Sequence, residues 1–176
     1  FRSIHVKKVM KISPAILKIV LFTGFLALFS CEKPDINDDP LFAGQLLTNS
    51  SDTIIIDSHK YFLETELSRN LMPGGSLPTK RKLVAYISLV NTDSLPVSLN
   101  ILLTKLYVIN DSSVWTSVPH EYTSLYLPAY KLTALSTEGP EWAIDIYVNV
   151  IAEVTDKLTG KKMLIKKLNQ RIEALY

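Results

Sequence analysis

The chain has 176 residues, 47% of them hydrophobic and 20% charged, with 6 Gly, 9 Pro and one Cys. At about 150 residues per domain this is one domain plus flanking segments, and the composition excludes a collagen-like, low-complexity or wholly disordered chain. A net charge of +2 gives nucleic-acid binding no support, and a single cysteine excludes an internal disulfide framework or a multi-cysteine zinc site.

The first thirty residues carry Arg2, Lys7, Lys8, Lys11 and Lys18 and no acid, so the weak overall basicity belongs to a leader. After Lys18 an uncharged run of twelve residues extends from Ile19 to Ser30. That is short of the ~20 apolar residues of a membrane-spanning helix and matches the apolar core of a signal peptide. Phe1 is not an initiator, and Met10-Lys11-Ile12-Ser13 reads as an ordinary start, so residues 1–9 are expected to be an over-extended start. The run ends Leu28-Phe29-Ser30-Cys31. This resembles the lipobox of bacterial lipoproteins of the Bacteroidota type: an aliphatic residue at −3, a small one at −1, then the cysteine that is lipidated. Phe29 is bulkier than the residue usual at −2. The resemblance implies a signal peptide over 1–30, lipidation at Cys31 and attachment to the membrane through it. It places the protein in the cell envelope, on the outer membrane. A plain secretory peptide would instead want a small residue at −3.

Residues 31–52 read as an acidic, flexible tether, punctuated by Pro34, Asn37, Pro40, Asn49 and Ser50-Ser51 and charged by Glu32, Asp35, Asp38 and Asp39. No Asp-x-Asp-x-Asp-Gly loop supports calcium. Loosely, these acids resemble a surface-export signal of such lipoproteins.

Residues 53–176 read as the folded domain, large enough for one real core. Its dominant period is two. Thr53–Ile56 and Tyr61–Ser68 give early strands, Met72 to Pro78 a loop, and Leu83–Val90 an alternating strand that ends in the turn Asn91-Thr92-Asp93-Ser94. Val97–Ile109 is a long strand whose apolar phase shifts near Thr104-Lys105, which predicts a bend. Val114–Val118 and Tyr126–Ala134 follow. From Trp142 to Val154 every second residue is apolar. Asp156 to Gly160 is a hairpin loop, and Lys161–Leu168 returns. The last residues, with Leu164, Leu168, Ile172 and Leu175, also fit a helical face and are read as strand plus extension. About seven strands without βαβ units predict an all-β, antiparallel, immunoglobulin-like sandwich, although the Cys…Trp…Cys spacing of that family is missing.

Catalytic motifs are scarce. No Gly-x-Ser-x-Gly elbow occurs, and Gly74-Gly75 beside two prolines reads as a loop and not a phosphate cradle. His59 and His120 are far apart and near turn residues, which disfavours a metal site. Glu64 and Glu66, or Asp145 and Glu153, share strand faces and read first as solvated positions. Two basic clusters, Lys80-Arg81-Lys82 and Lys161-Lys162 with Lys166-Lys167, are read as surface charge, the second as lysine protection of an edge strand. Anionic glycan or headgroup contact is the alternative there.

Aromatic residues are the richest signal. Tyr122, Tyr126 and Tyr130 have even spacing and would share one face of an extended segment, with Trp115 beside them. Such a row suits sugar stacking or protein docking; burial in the core or at sandwich corners is the competing reading. The expectation is a non-enzymatic binding or assembly domain for a glycan or envelope protein, with no cofactor, metal or nucleic acid. An accessory subunit of an envelope complex and a small hydrolase are the alternatives.

Overall fold

The computed structural model describes residues 33–71 and 81–176. The leader, Cys31, Lys80 and the 72–78 loop lie outside them. Ten strands and one helix follow in order: β1 (Asp35–Asn37), α1 (Pro40–Asn49), β2 (Thr53–Ile56), β3 (His59–Asn70), β4 (Leu83–Asn91), β5 (Ile101–Asn110), β6 (Ser113–Ser117), β7 (His120–Glu121), β8 (Lys131–Ser136), β9 (Tyr147–Asp156) and β10 (Lys162–Leu175). The all-β expectation holds. Among the described residues no helix is long and apolar enough to cross a membrane.

The strands form a strongly curled sheet in the order β1-β6-β5-β9-β10-β3-β4-β8-β7, with β2 paired to β3. The sheet is mixed and not purely antiparallel, because β10 pairs parallel with β3 from Ile172↔Leu67 to Leu175↔Asn70. Along its first part β10 pairs antiparallel with β9, from Lys162↔Thr155 to Arg171↔Tyr147. Curling brings the two halves of the sheet onto one core. Leu63, Leu67, Ala85, Ile87 and Leu89 from one half share it with Leu106, Val108, Val150, Ala152 and Val154 from the other. These positions alternate along their strands, as burial of one face requires.

A bulge makes the passage of β10 possible. The register jumps between Lys167 and Gln170, and Asn169 takes a left-handed φ of 55°. Asparagine tolerates that conformation better than most residues. A bulge bends its strand and increases the local twist. Asn169 N donates to Asn149 Oδ1 at 3.1 Å, and Thr65 Oγ1 donates to Gln170 Oε1 at 2.7 Å, so both neighbours hold the bend. The C-terminal residues are therefore strand and not helix.

Residues 33–52 are part of the fold, which corrects the expectation of a flexible tether. β1 pairs with β6, and Ser113 Oγ donates to Asp38 Oδ1. Asp39 caps α1 by accepting from Leu41 N at 2.9 Å, with Pro40 in the first turn; both are standard helix-start chemistry. Ala43 and Leu46 pack against Tyr107, Ile109, Val114 and Ile151 on the outer face of the β5–β9 half. The Phe42 ring meets Tyr107 edge-on at 6.2 Å. Ser51 then bridges the open side of β10: its N donates to Leu164 O and its O accepts from Lys166 N. The lysine-rich part of β10 is thus an edge only beyond this bridge, and the strand as a whole is interior to the sheet.

Other boundaries shift for local reasons. The alternation from Trp142 is real, since Trp142, Ile144 and Ile146 pack on the core, but β9 starts at Tyr147 because Asp145 has φ 65°. β5 starts at Ile101, not Val97, and β8 at Lys131, not Tyr126. At the expected bend in β5 the register shifts by a bulge between Leu103 and Lys105. There Thr104 Oγ1 meets Glu153 Oε1 at 2.8 Å and Thr155 Oγ1 at 2.9 Å.

The packing of α1 predicts that Leu46→Ala lowers stability by about 2–5 kcal/mol and Asp39→Ala by about 1 kcal/mol, read as urea-unfolding midpoints. A flexible segment would leave both midpoints unchanged. At the bulge, Asn169→Val should cost about 1–2 kcal/mol through its left-handed φ, whereas Asn169→Gly should be nearly neutral by the same measurement.

Candidate functional site

Strand directions sort the connections into two ends. β5, β8 and β10 start, and β4 and β9 finish, at one end. That loop end carries the Asp57-Ser58 turn, the 92–100 connection, the 122–130 connection and the 157–161 turn. Each loop is set by local backbone chemistry. Asp57 and Ser58 have φ of 49° and 68°, as a two-residue hairpin needs. Asn91 starts the next loop: its Oδ1 accepts from Asp93 N at 3.0 Å, its N donates to Tyr130 O, and its buried Nδ2 has no partner among the described residues. Asp156 organises the last turn by accepting from Leu158 N at 2.9 Å and Thr159 Oγ1 at 2.6 Å, while Gly160 supplies φ 69°. Lys157 ties two loops together, its N bonded to Asn100 O and its Nζ to Leu99 O at 3.1 Å.

Between these loops lies an open groove of about 570 Å³, lined by Pro96, Val97, Leu99, Ala129, Lys131 and Lys157 among others. A shallower hollow of about 170 Å³ adjoins it and shares Glu121, Ala129, Lys131 and Leu132. The loops of this end expose large apolar side chains: Leu95 is 49% exposed, Leu99 91%, Leu125 102%, Tyr126 96% and Leu158 72%, contributed by three separate loops. Of these only Leu99 lines the groove. Isolated exposed leucines are ordinary, but several at one end of a domain are a candidate contact surface.

The expected tyrosine row does not form as a strand face. Tyr122, Tyr126 and Tyr130 fall in the 122–130 connection, which Pro128 and the Ser124 turn interrupt. Tyr126 is almost fully exposed. Tyr122 is partly exposed and packs edge-on against Tyr86 at 5.8 Å. Tyr130 is half-buried and holds the Asn91 amide through its carbonyl. Trp115 belongs to the core at 2% exposure, which corrects its placement in a ligand-facing row. Its ring lies under Gly139, where a Cβ would come within 2.8 Å of both the ring and Leu83 O.

The titratable groups are dispersed. His59 on β3 meets Asp93 Oδ2 at 3.3 Å, and His120 sits on β7, separated from β3 by β4 and β8. Among the described residues no group of three His, Cys, Asp or Glu is placed to hold a metal ion. Glu64 pairs with Lys131 at 2.5 Å, and Asp145 lies before β9, paired with Arg171. Burial raises the Glu153 carboxyl, but hydrogen bonds from Thr104 and Lys162 and the charges of Lys162 and Lys105 outweigh it and leave the group lowered. The Thr159 hydroxyl first, then the Leu158 N–H, hold Asp156 below its ordinary 3.8. Burial, reinforced by Asp57 and Asp93, raises the Tyr61 phenol and keeps it neutral at pH 7.

Sequence reasoning missed Leu95, Leu99, Leu125 and Leu158. A signal was present: each stands inside a turn-forming stretch, as in Ser94-Leu95-Pro96, Ser98-Leu99-Asn100, Ser124-Leu125-Tyr126 and Lys157-Leu158-Thr159. A leucine flanked by turn residues has no strand face to occupy. No protein-family model, curated protein or solved structure matches this chain.

The lowered carboxyls predict a definite acid response. The unfolded chain takes up protons at Glu153 and Asp156 before the folded one does. Their contribution to stability is therefore complete above 4.5, the ordinary glutamate value, and is lost as pH falls through the lowered folded values. Asp156→Asn should lower the unfolding midpoint at neutral pH and make its acid decline shallower; an unchanged pH profile would exclude this role of the turn.

Proposed function

We propose that this chain is a lipid-anchored protein of the bacterial cell envelope, and that its domain docks there through the loop end without catalysing a reaction. The observation that carries the docking role is the set of exposed apolar side chains, Leu95, Leu99, Leu125, Tyr126 and Leu158, on three loops at one end of the sheet. The lipid anchor rests on the Leu28-Phe29-Ser30-Cys31 leader. The non-enzymatic reading is supported by the engagement in structural contacts of two of the three charged residues that line the groove, Glu121 being the third. Lys131 is held by Glu64, and Lys157 by Leu99 O. The finer architecture we propose is an immunoglobulin-like sandwich: two sheet halves enclose one core, and loops gather at each end. The parallel β10–β3 pair sets it apart from an all-antiparallel form.

In membranes from cells expressing the full chain, docking should shield the 122–130 connection from protease and detergent should expose it. Leu125→Ser with Tyr126→Ala should restore cleavage in the membranes. Equal cleavage rates before and after detergent would contradict docking. Separately, Cys31→Ala should leave an unprocessed precursor and lose incorporation of labelled palmitate; unchanged processing would contradict the anchor.

A further inference from the structure

We propose that the loop end pairs with a second copy of this chain, each copy seating the tip of its 122–130 connection in the groove of the other. The inference rests on the docking reading above and names the partner of that surface. Its first support is shape. The connection and the groove lie side by side: Ala129 lines the groove, and Val97 N donates to Ala129 O at 2.9 Å. The tip does not fold back into the groove of its own chain, because Leu125 and Tyr126 are almost wholly exposed. A protrusion beside a hollow is self-complementary under a two-fold axis, since each patch then meets its own copy and both insertions form together. Clefts of roughly 300–1,000 Å³ bury drug-sized molecules, so the groove, at about 570 Å³, has room for two side chains.

The chemistry of the tip fits the groove. Residues 122–130 carry no charge, and the tip reads Leu125-Tyr126-Leu127-Pro128. The groove meets it with Pro96, Val97, Leu99 and Ile101. Lys131 and Lys157 are already held, by Glu64 and by Leu99 O. Glu121 is left as an acceptor for the Tyr126 phenol of the second copy.

Charge selects the second copy, because it is sided across this end. Exposed Lys157 and Lys161 stand at the 157–161 turn, which Lys157 ties to Leu99 and Asn100. Exposed Asp57 and Asp93 stand at the other flank, where Asp93 meets His59. Leu95 and Leu99 lie between, in the 92–100 connection. Lys60 does not cancel the acidic flank, for it pairs with exposed Ile55 on the outer face of the sheet. Asp156 is consumed within its own turn by Leu158 N and Thr159 Oγ1. A half-turn about an axis through the leucines lays each cationic flank on the anionic flank of the other copy. Such complementarity fixes register and disfavours wrong partners, and here the surface supplies both halves of it.

The test uses two differently tagged forms of the full chain, expressed together. In the first form a benzophenone-bearing amino acid replaces Tyr126. Irradiation of intact cells should join the two forms, with attachment at residues 96–102 or 129–132 of the second. Leu99→Asp in the second form changes an exposed residue of the groove and should lower the joined product at least about fivefold. Thr137→Asp, after β8 at the opposite end, should leave it unchanged. Attachment outside the groove, or a product that Leu99→Asp does not lower, would overturn the proposal. So would attachment of position 126 only to a different protein, which would leave the docking reading standing. The absence of any joined product would overturn both.

Discussion

The structure depends on how β10 serves both halves of the sheet. Near Ile172 the strand is paired on two sides: the Ile172 amide donates to Ile146 O at 3.0 Å, its carbonyl accepts from Asp145 N at 2.8 Å, and its other edge begins the parallel pairing with Leu67. The Ile172 side chain is fully buried between the halves. A strand can leave one partner for another only by bending, and the Leu168–Asn169 bulge supplies the bend. Without it each half would expose an apolar face that a few strands cannot bury alone.

Several features follow from that crossing. Because β10 lies in the middle of the sheet, the two ends of the strand order fall to β1 and β7, of three and two residues. Short edges give another chain little backbone to pair with. At the end where β10 finishes, Arg69 binds the backbone of Arg81, Glu141 and Trp142, which draws those connections onto the core. At the opposite end Lys157 ties the 157–161 turn to the 92–100 connection through Asn100 O and Leu99 O, and the leucines and Tyr126 stay on the surface. Rigid strand ends with apolar loop tips are the arrangement from which a docking surface is built.

Legibility in the sequence varied with the kind of signal. Period-two burial located β3, β4, β9 and the first half of β10, because one face of each strand must be apolar. The phase slip at Thr104 disclosed a bend, since a slip in alternation is what an extra residue produces. Residues 33–52 misled because the same residues punctuate linkers and cap helices: Asp39-Pro40 starts α1, and Ser50 ends it with its Oγ on Leu47 O. Even spacing of Tyr122, Tyr126 and Tyr130 carried no information without a strand beneath it. Trp115 was ambiguous because a short strand beside a turn can face either way; the close approach of Gly139 that seats its ring lies 24 positions on in the chain. The crossing of β10 depends on partners more than a hundred residues away, as at Thr65–Gln170, and no local pattern reveals it.

Hydrogen exchange of the full chain tests the central role of β10 most directly. If the strand locks both halves, amides of 164–172 should exchange at the slowest rate in the molecule, together with those of β4 and β9, and only through global unfolding. Faster exchange of 164–172 than of β4 and β9 would mean that the strand frays from a sheet already stable without it, and would contradict the account.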